Sequence, residues 1–212
     1  HEVNGEALIT ALRVAKHFNM FIPDELHVMR KTVIDGSNTG GFQRTMVVGL
    51  GTEDSVIETS EGLVRVKDLE LEEESARIIE RSEGRDVYDL AGLGVPLIEV
   101  GTHADIKSPL EARAVALKLG AVLRLTGEAQ RGLGTIRQDV NVSIEGGARV
   151  EVKGFQDVNE LPELIENEVK RQESLIELSG ELTGYELRRV NVTKFFQDSD
   201  SNVTNGREKI LS

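Results

Sequence analysis

Ile136-Arg137-Gln138-Asp139-Val140-Asn141-Val142-Ser143-Ile144 alternates polar and apolar residues, and after Glu145-Gly146-Gly147 the run Ala148-Arg149-Val150-Glu151-Val152-Lys153 alternates again. A period of two on both sides of a glycine turn predicts a β-hairpin. A two-residue Gly146-Gly147 turn would set Val150 beside Ser143 and Glu151 beside Val142, mixing polar with apolar. A three-residue loop, residues 145–147 with a glycine in the left-handed position, pairs Val142 with Val150 and Val140 with Val152. It also sets Asp139 opposite Lys153, Asn141 opposite Glu151 and Ser143 opposite Arg149. The hairpin then has one dry face and one polar face that includes Arg137. That mix of cations, carboxylates and an amide suits phosphate and carboxylate binding; an ordinary sheet with a wet side is the alternative.

The rest of the chain supplies partners for this hairpin. Residues 6–18 place Ala7, Leu8, Ala11, Leu12, Ala15 and Phe18 at helical spacing, with Asn4 as a cap. Residues 26–34 and 42–50 read as strands around a Gly, Ser and Asn loop. Residues 55–59 and 63–73 bracket Ser60-Glu61-Gly62 as a hairpin, and residues 95–100 form another strand. Ser108-Pro109-Leu110-Glu111 is a capping box with proline at the first helical position, opening a helix that Gly127 stops. A second long helical pattern covers residues 159–178 and ends at Gly180, and residues 185–196 read as a last strand. Hairpins with helices inserted between them predict an α+β domain, an antiparallel sheet with flanking helices. Residues 1–196 form that domain, and the Ser, Asn and Asp-rich stretch 197–212 is a linker.

Composition narrows the chemistry. The chain has 212 residues, 39% of them hydrophobic, and no cysteine, so disulfides and thiolate metal sites are excluded. No apolar run approaches a membrane span, and three Asn-x-Ser/Thr triplets lack a preceding signal peptide, so the chain reads as cytoplasmic. Asp and Glu total 37 against 25 Lys and Arg, a net charge of -12, the wrong sign for a protein that wraps nucleic acid. Any RNA contact must be local or made elsewhere. No Gly-Lys-Ser/Thr is present, and the Gly-Leu-Gly tripeptides at 49, 92 and 132 lack the third glycine of a dinucleotide fingerprint. The four His show no metal-ligand spacing. Hard oxygen donors remain.

Two carboxylates stand out as such donors. Strand alternation puts Glu73 on one face with Leu69 and Leu71, although a solvated acidic run is the competing reading. Glu99 lies in Val95-Pro96-Leu97-Ile98-Glu99-Val100, where a carboxylate among apolar residues needs a cation or an ion pair. Two inward glutamates on separate strands would suit Mg2+, which takes one or two carboxylates and leaves room for phosphate oxygens. Arg30-Lys31, the loop with Ser37, and Gln43-Arg44 place cations and backbone amides where phosphate could bind, or form a plain hairpin loop.

His27-Val28-Met29-Arg30-Lys31, Asp35-Gly36-Ser37-Asn38-Thr39, Gly41-Phe42-Gln43-Arg44-Thr45, Glu72-Glu73 with Ser75-Ala76-Arg77, and Gly94-Val95-Pro96-Leu97-Ile98-Glu99 run in order along the chain. With Asp105-Ile106-Lys107-Ser108-Pro109, residues 134–141 and residues 148–154, they resemble the E subunits of archaeal glutamyl-tRNA(Gln) amidotransferases, in the GatB/GatE family. The bacterial B subunits are similar at Pro96-Leu97-Ile98-Glu99 and at residues 137–143. The resemblance implies a cradle domain related in fold to glutamine synthetase and the guanidino kinases. It implies a ligase that uses ATP to phosphorylate the γ-carboxylate of glutamate on Glu-tRNA(Gln), after which ammonia from an asparaginase-like partner subunit displaces the phosphate. Carried over by motif, Glu73 and Glu99 would hold Mg2+, and Arg30, Lys31, Ser37 and Arg44 the ATP phosphates. Arg137, Asp139, Asn141, Glu151 and Lys153 would line the reaction floor. The family's opening Gly-x-Glu-x-His strand is not found here, nor its insertion and tRNA-gripping tail, and His1 stands where a methionine would start a chain. The expectation is therefore an internal piece of a longer polypeptide, inactive alone. An enzyme acting on a free small molecule, or a non-catalytic interaction module, are the competing readings.

Overall fold

A computed structural model describes residues 2–132, 134–184 and 191. The chain forms two compact units, residues 1–172 and 173–212, and all of the groups discussed below belong to the first. The expected strand at 185–196 and linker at 197–212 lie outside the described residues, apart from Asn191.

Along the chain, helix α1 (Gly5–His17) is followed by strands β1 (Met29–Thr32), β2 (Phe42–Leu50), β3 (Val56–Glu58) and β4 (Leu63–Glu73). Strands β5 (Arg77–Ser82), β6 (Arg85–Asp89) and β7 (Pro96–Thr102) precede helix α2 (Pro109–Leu125), and strands β8 (Gln138–Val142) and β9 (Val150–Phe155) precede helix α3 (Leu161–Glu181). The long β4 is the axis of a five-stranded antiparallel sheet: β2, β3 and β7 pair with it, and β1 pairs with β2. β5 with β6, and β8 with β9, are separate antiparallel hairpins. The α+β, antiparallel architecture agrees with the sequence reading.

The apolar pattern of β4 changes phase midway. Val64 and Val66 are buried, then Leu69 and Leu71, and a register shift between Val66 and Asp68 absorbs the odd spacing. β2 has a like irregularity between Val47 and Gly49, and Met46 and Val48 are buried while Leu50 is exposed. Next to these irregularities Gly51 donates its N–H to Lys67 O at 2.8 Å. A Cβ at Gly51 would lie 2.0 Å from Val66 O, so no larger residue fits this crossing.

One face of the sheet is dry. Ala11, Val14 and Ala15 of α1, Phe18, Met20 and Val115 of α2 pack in one cluster with Met46, Val48, Ile57, Val64, Val66, Leu69 and Leu71. Asn4 caps α1 by accepting from Ala7 N at 3.0 Å, and Ser108 caps α2 by accepting from Glu111 N at 3.0 Å. The capping box is only half of the expected one. Glu111 accepts from Lys107 N and from the Thr59 hydroxyl, each at 2.7 Å, and so ties α2 to the β3–β4 turn.

Three local expectations are corrected. The β8–β9 ladder keeps the expected register, Val142 to Val150 and Val140 to Val152, but it stops short of residues 143–149, so the link is longer than three residues. α3 runs through Gly180 to Glu181. The β5–β6 hairpin was not foreseen, although Ile78 and Ile79 before Glu83-Gly84 carry a strand-and-turn signal.

Candidate active site

The second face of the sheet is polar, and the pairing register decides which side chains it carries. Glu70 stands directly across from Glu99, and Glu72 across from Leu97, so these three carboxylates rise from one face. Glu73 is paired with Pro96 and sits one residue out of phase, on the face of Leu69 and Leu71. Glu73 and Glu99 therefore do not converge from two strands as the sequence suggested; Glu72 is the β4 neighbour that shares Glu99's side. Nor is Glu99 embedded among apolar residues, since its surroundings are other carboxylates and open surface.

Glu72 is 4% exposed and holds a built set of partners. Gln43 donates to its Oε2 at 3.2 Å and to the Glu73 carbonyl at 2.6 Å, while Lys31 Nζ lies 3.5 Å from its Oε1. Thr45 donates weakly to Glu70 at 3.4 Å. Among the described residues Glu99 has no such donor. Desolvation, then the charges of Glu72 and Glu70, push its carboxyl above the usual range, against a smaller opposing effect of Lys31. Its open surface lets solvent screen part of that effect. Asp139 also raises it, which brings the β8–β9 hairpin beside this face.

The hairpin's polar edge keeps two of its expected pairs, while Ser143 and Arg149 lie beyond the ladder. Asn141 stands across from Glu151, and Lys153 reaches Asp139 at 3.6 Å and Glu151 at 3.3 Å. A register shift after Gln138 lets Asp139 Oδ1 accept from Gly154 N at 2.7 Å. The bond to Glu151, and the negative charge around it, hold the Lys153 ammonium above its ordinary value. Arg137, just ahead of β8, pairs with Glu74 at 2.5 Å and so ties the hairpin to the end of β4.

The expected phosphate set is not brought together. Arg30 and Arg44 are directly paired across β1 and β2, on the face away from Lys31. Arg44 is bonded to Glu73, at 2.8 Å through its Nε, and Arg30 lies 5.1 Å over the Phe42 ring. Ser37 is buried at 8% exposure; both its N–H, at 2.9 Å, and its hydroxyl, at 2.6 Å, go to Asp35. Those two bonds hold the Asp35 carboxyl below its usual range. Tyr88 of β6 donates to the Asp35 carbonyl, packing the unforeseen hairpin against this loop. Lys31 alone of the four cationic and hydroxyl groups is on the carboxylate face. Glu70, Glu72 and Gln43 joined the site only through the register, and the run Glu70-Leu71-Glu72 on an alternating strand was the signal that pointed to them.

This face can do two things chemically. Oxygen donors from Glu72 and Glu99, with Glu70 beside them, suit a hard divalent cation, and a cation there would relieve the crowding that raises the Glu99 carboxyl. Among the described residues no group of three His, Cys, Asp or Glu is arranged as a metal cage. Magnesium needs only one or two protein carboxylates, so the donor set fits it. The cations Lys31, Arg137 and Lys153 can meet anionic oxygens on a substrate.

Comparison with known proteins bears on this arrangement. The chain is 48% identical over 209 residues to the E subunit of the glutamyl-tRNA(Gln) amidotransferase of Haloarcula marismortui, covering 97% of this chain and 33% of that protein. It is 50% identical over 206 residues to the corresponding protein of Archaeoglobus fulgidus, and 46% identical over 216 residues to that of Methanothermobacter thermautotrophicus, covering 95% and 100% of this chain. The chain spans about a third of the length of these relatives. The GatB/GatE catalytic domain profile matches residues 1–211, and the chain belongs to that family.

Proposed function

We propose that this chain supplies the catalytic surface on which the γ-carboxylate of glutamate, esterified to tRNA(Gln), is phosphorylated by ATP and then converted to the amide by ammonia. The observation that carries this reading is the clustering of Glu70, Glu72 and Glu99 on one sheet face, with Asp139 of β8 near enough to Glu99 to raise its carboxyl. Family membership and the names of the relatives support it.

In this reading Glu72 and Glu99 hold Mg2+, with Glu72 in the place first given to Glu73. Magnesium bound there would neutralise charge on the transferred phosphoryl group. Lys31, on the same face as Glu72, would supply a cation for a phosphate oxygen. Arg137, fixed by Glu74, and Lys153, fixed by Asp139 and Glu151, hold the substrate carboxylate; Asp139 or Glu151 receives the one proton that ammonia loses, and Asn141 contributes hydrogen bonds only. Arg44 positions the end of β4 through Glu73, Ser37 keeps its loop in shape through Asp35, and Arg30, stacked over Phe42 on the face away from Lys31, holds β1 to β2. The sheet with its facing hairpin forms the floor and wall of a cradle, ammonia comes from an asparaginase-like partner subunit, and tRNA is gripped mainly by other parts of the protein.

The test is formation of Gln-tRNA(Gln) from Glu-tRNA(Gln), ATP and ammonium by the full-length protein with its partner subunit. Glu99→Gln and Glu72→Gln are expected to lower kcat by about a hundredfold or more while the fold persists. Wild-type turnover in both variants would refute the reading.

A further inference from the structure

Among the described residues β8 and β9 pair only with each other, so the hairpin that carries Asp139, Asn141, Glu151 and Lys153 has no ladder to the five-stranded sheet. A two-stranded ribbon is marginal by itself and takes its place from what holds its ends. One end is held by Arg137, ion-paired with Glu74 just beyond β4. The other is held by Gln172 of α3, which is 3% exposed. Its Nε2 donates to the carbonyl of Val142, the last residue of β8, at 3.1 Å and to Glu168 Oε1 at 2.8 Å. Asp139 and Asn141 lie on β8 between these two fastenings.

Gln172 is itself held in place. Glu168 accepts from Arg171 Nε at 2.8 Å and from its Nη2 at 2.9 Å, so the carboxylate is fixed where it orients the Gln172 amide. The helix that bears all three is anchored at its start by Leu161, 2% exposed, and by Asn159, which accepts from Arg113 of α2 at 2.7 Å. Packing alone does not ask for an amide at this position. The Gln172 Oε1 is buried and has no hydrogen-bond partner among the described residues, a penalty that an apolar side chain of the same size would avoid. The link after β8 is folded so closely onto that oxygen that a Cβ at Gly147 would lie 2.6 Å from it. The donor half of the amide is what distinguishes glutamine here.

We propose that Gln172 is a positioning residue for the reaction floor: its N–H groups fasten the end of β8 and so hold Asp139 and Asn141 at the carboxylate face. It touches neither substrate nor metal and acts through β8. The proposal rests on the reading above that this hairpin is the floor of the reaction. A reacting group displaced by about an ångström can slow a reaction about a hundredfold, even when the change lies away from the chemistry. In that reading tRNA is gripped mainly elsewhere and ATP meets the sheet, so loosening β8 lowers kcat and leaves KM for both nearly unchanged.

The test is Gln172→Met, which conserves side-chain volume and removes the amide, in the full-length protein with its partner subunit. Formation of Gln-tRNA(Gln) is assayed well below the melting temperature. The expected result is a kcat lowered about tenfold, with KM for ATP and Glu-tRNA(Gln) within about twofold of wild type. Amide hydrogen exchange should quicken in residues 138–155 and not in the five-stranded sheet. Gly147→Ala reaches the same fastening from the other side by pushing the amide away, and should give the same pattern even if Gln172→Met does not fold. Glu111→Ala, destabilised at α2, is the control and should keep its kcat at the same margin below melting. An equal loss in Glu111→Ala would make the Gln172 effect one of general stability and overturn the proposal, as would wild-type kcat in folded Gln172→Met and Gly147→Ala. Lys153→Met separates the two readings. Its loss of turnover beside wild-type kcat in Gln172→Met refutes the fastening alone, whereas wild-type turnover in Lys153→Met refutes the floor itself.

Discussion

Glu99 faces Glu70 across one strand pair, with Glu72 diagonal to it, and Lys31 opposes their combined charge. Its folded carboxyl is raised above the ordinary 4.5, so the protonated form is favoured by folding. Such a group contributes stability that is complete below its unfolded value and is lost as pH rises through its folded value. The metal-free protein should therefore lose stability on going from about pH 4.5 toward neutrality at this site, and Glu99→Gln should remove that part of the loss. Thermal melts from pH 4 to pH 8 in EDTA test this: the variant should be more stable than the wild type at neutral pH and closer to it in acid. A variant less stable than the wild type at neutral pH would mean that Glu99 is paired, not crowded. In the proposed function magnesium would compete with a proton for this carboxylate, so its affinity should rise over the same interval.

At the scale of elements, Glu111 shows how a local signal can be right about place and incomplete about partners. Ser108 and Glu111 marked the start of α2, but the carboxylate is drawn to Thr59 by the β3–β4 turn packing beside the helix. It is 3% exposed, and the Thr59 hydroxyl, then Lys107 N–H, hold its carboxyl below the ordinary value. Glu111→Ala strands both donors and should cost about 3 kcal/mol at pH 7 in a urea titration. Since the folded value is lowered, the stability from this group is present above about pH 4.5 and fades as pH falls through the lowered value. The gap between variant and wild type should therefore narrow in acid; a constant gap would make the loss one of packing. The same limit explains what the sequence reading of the site achieved. The β8–β9 register followed from matching Val142 to Val150 and Val140 to Val152, a choice that one pair of strands settles. Which glutamates share a face with Glu99 depends on how β4 and β7 align, and two strands separated by the 22 residues 74–95 leave that open. A slip of one residue exchanges Glu72 for Glu73, and the irregularities at Val66 and Val47 are such slips. Arg30 and Arg44 were likewise grouped with Lys31 by closeness in sequence, although neighbours on a strand point to opposite faces.

Over the whole molecule the decisive quantity is charge. A net charge of -12 on 212 residues makes self-repulsion a general destabilising force, and the carboxylate face concentrates part of it. Counterions screen such repulsion over roughly 10 Å at 0.1 M salt, so added NaCl should raise the melting temperature. Ion pairs work in the opposite sense, but the exposed ones here, such as Arg77 with Asp89 and Arg81 with Asp86, are each worth little. Magnesium should act in two ways: by screening, as any salt does, and by occupying Glu72 and Glu99. Comparing MgCl2 with NaCl at matched ionic strength separates them, with the excess stabilisation by magnesium read as site binding. That excess should vanish in Glu99→Gln, while the rise with NaCl is nearly unchanged, since one charge in twelve is removed. Calcium in place of magnesium should give a smaller excess if the open, two-carboxylate site draws its selectivity from water and phosphate ligands. An equal response of wild type and Glu99→Gln to magnesium would mean that the ion acts only on the general field, and the carboxylate face would then be a charged surface without a metal.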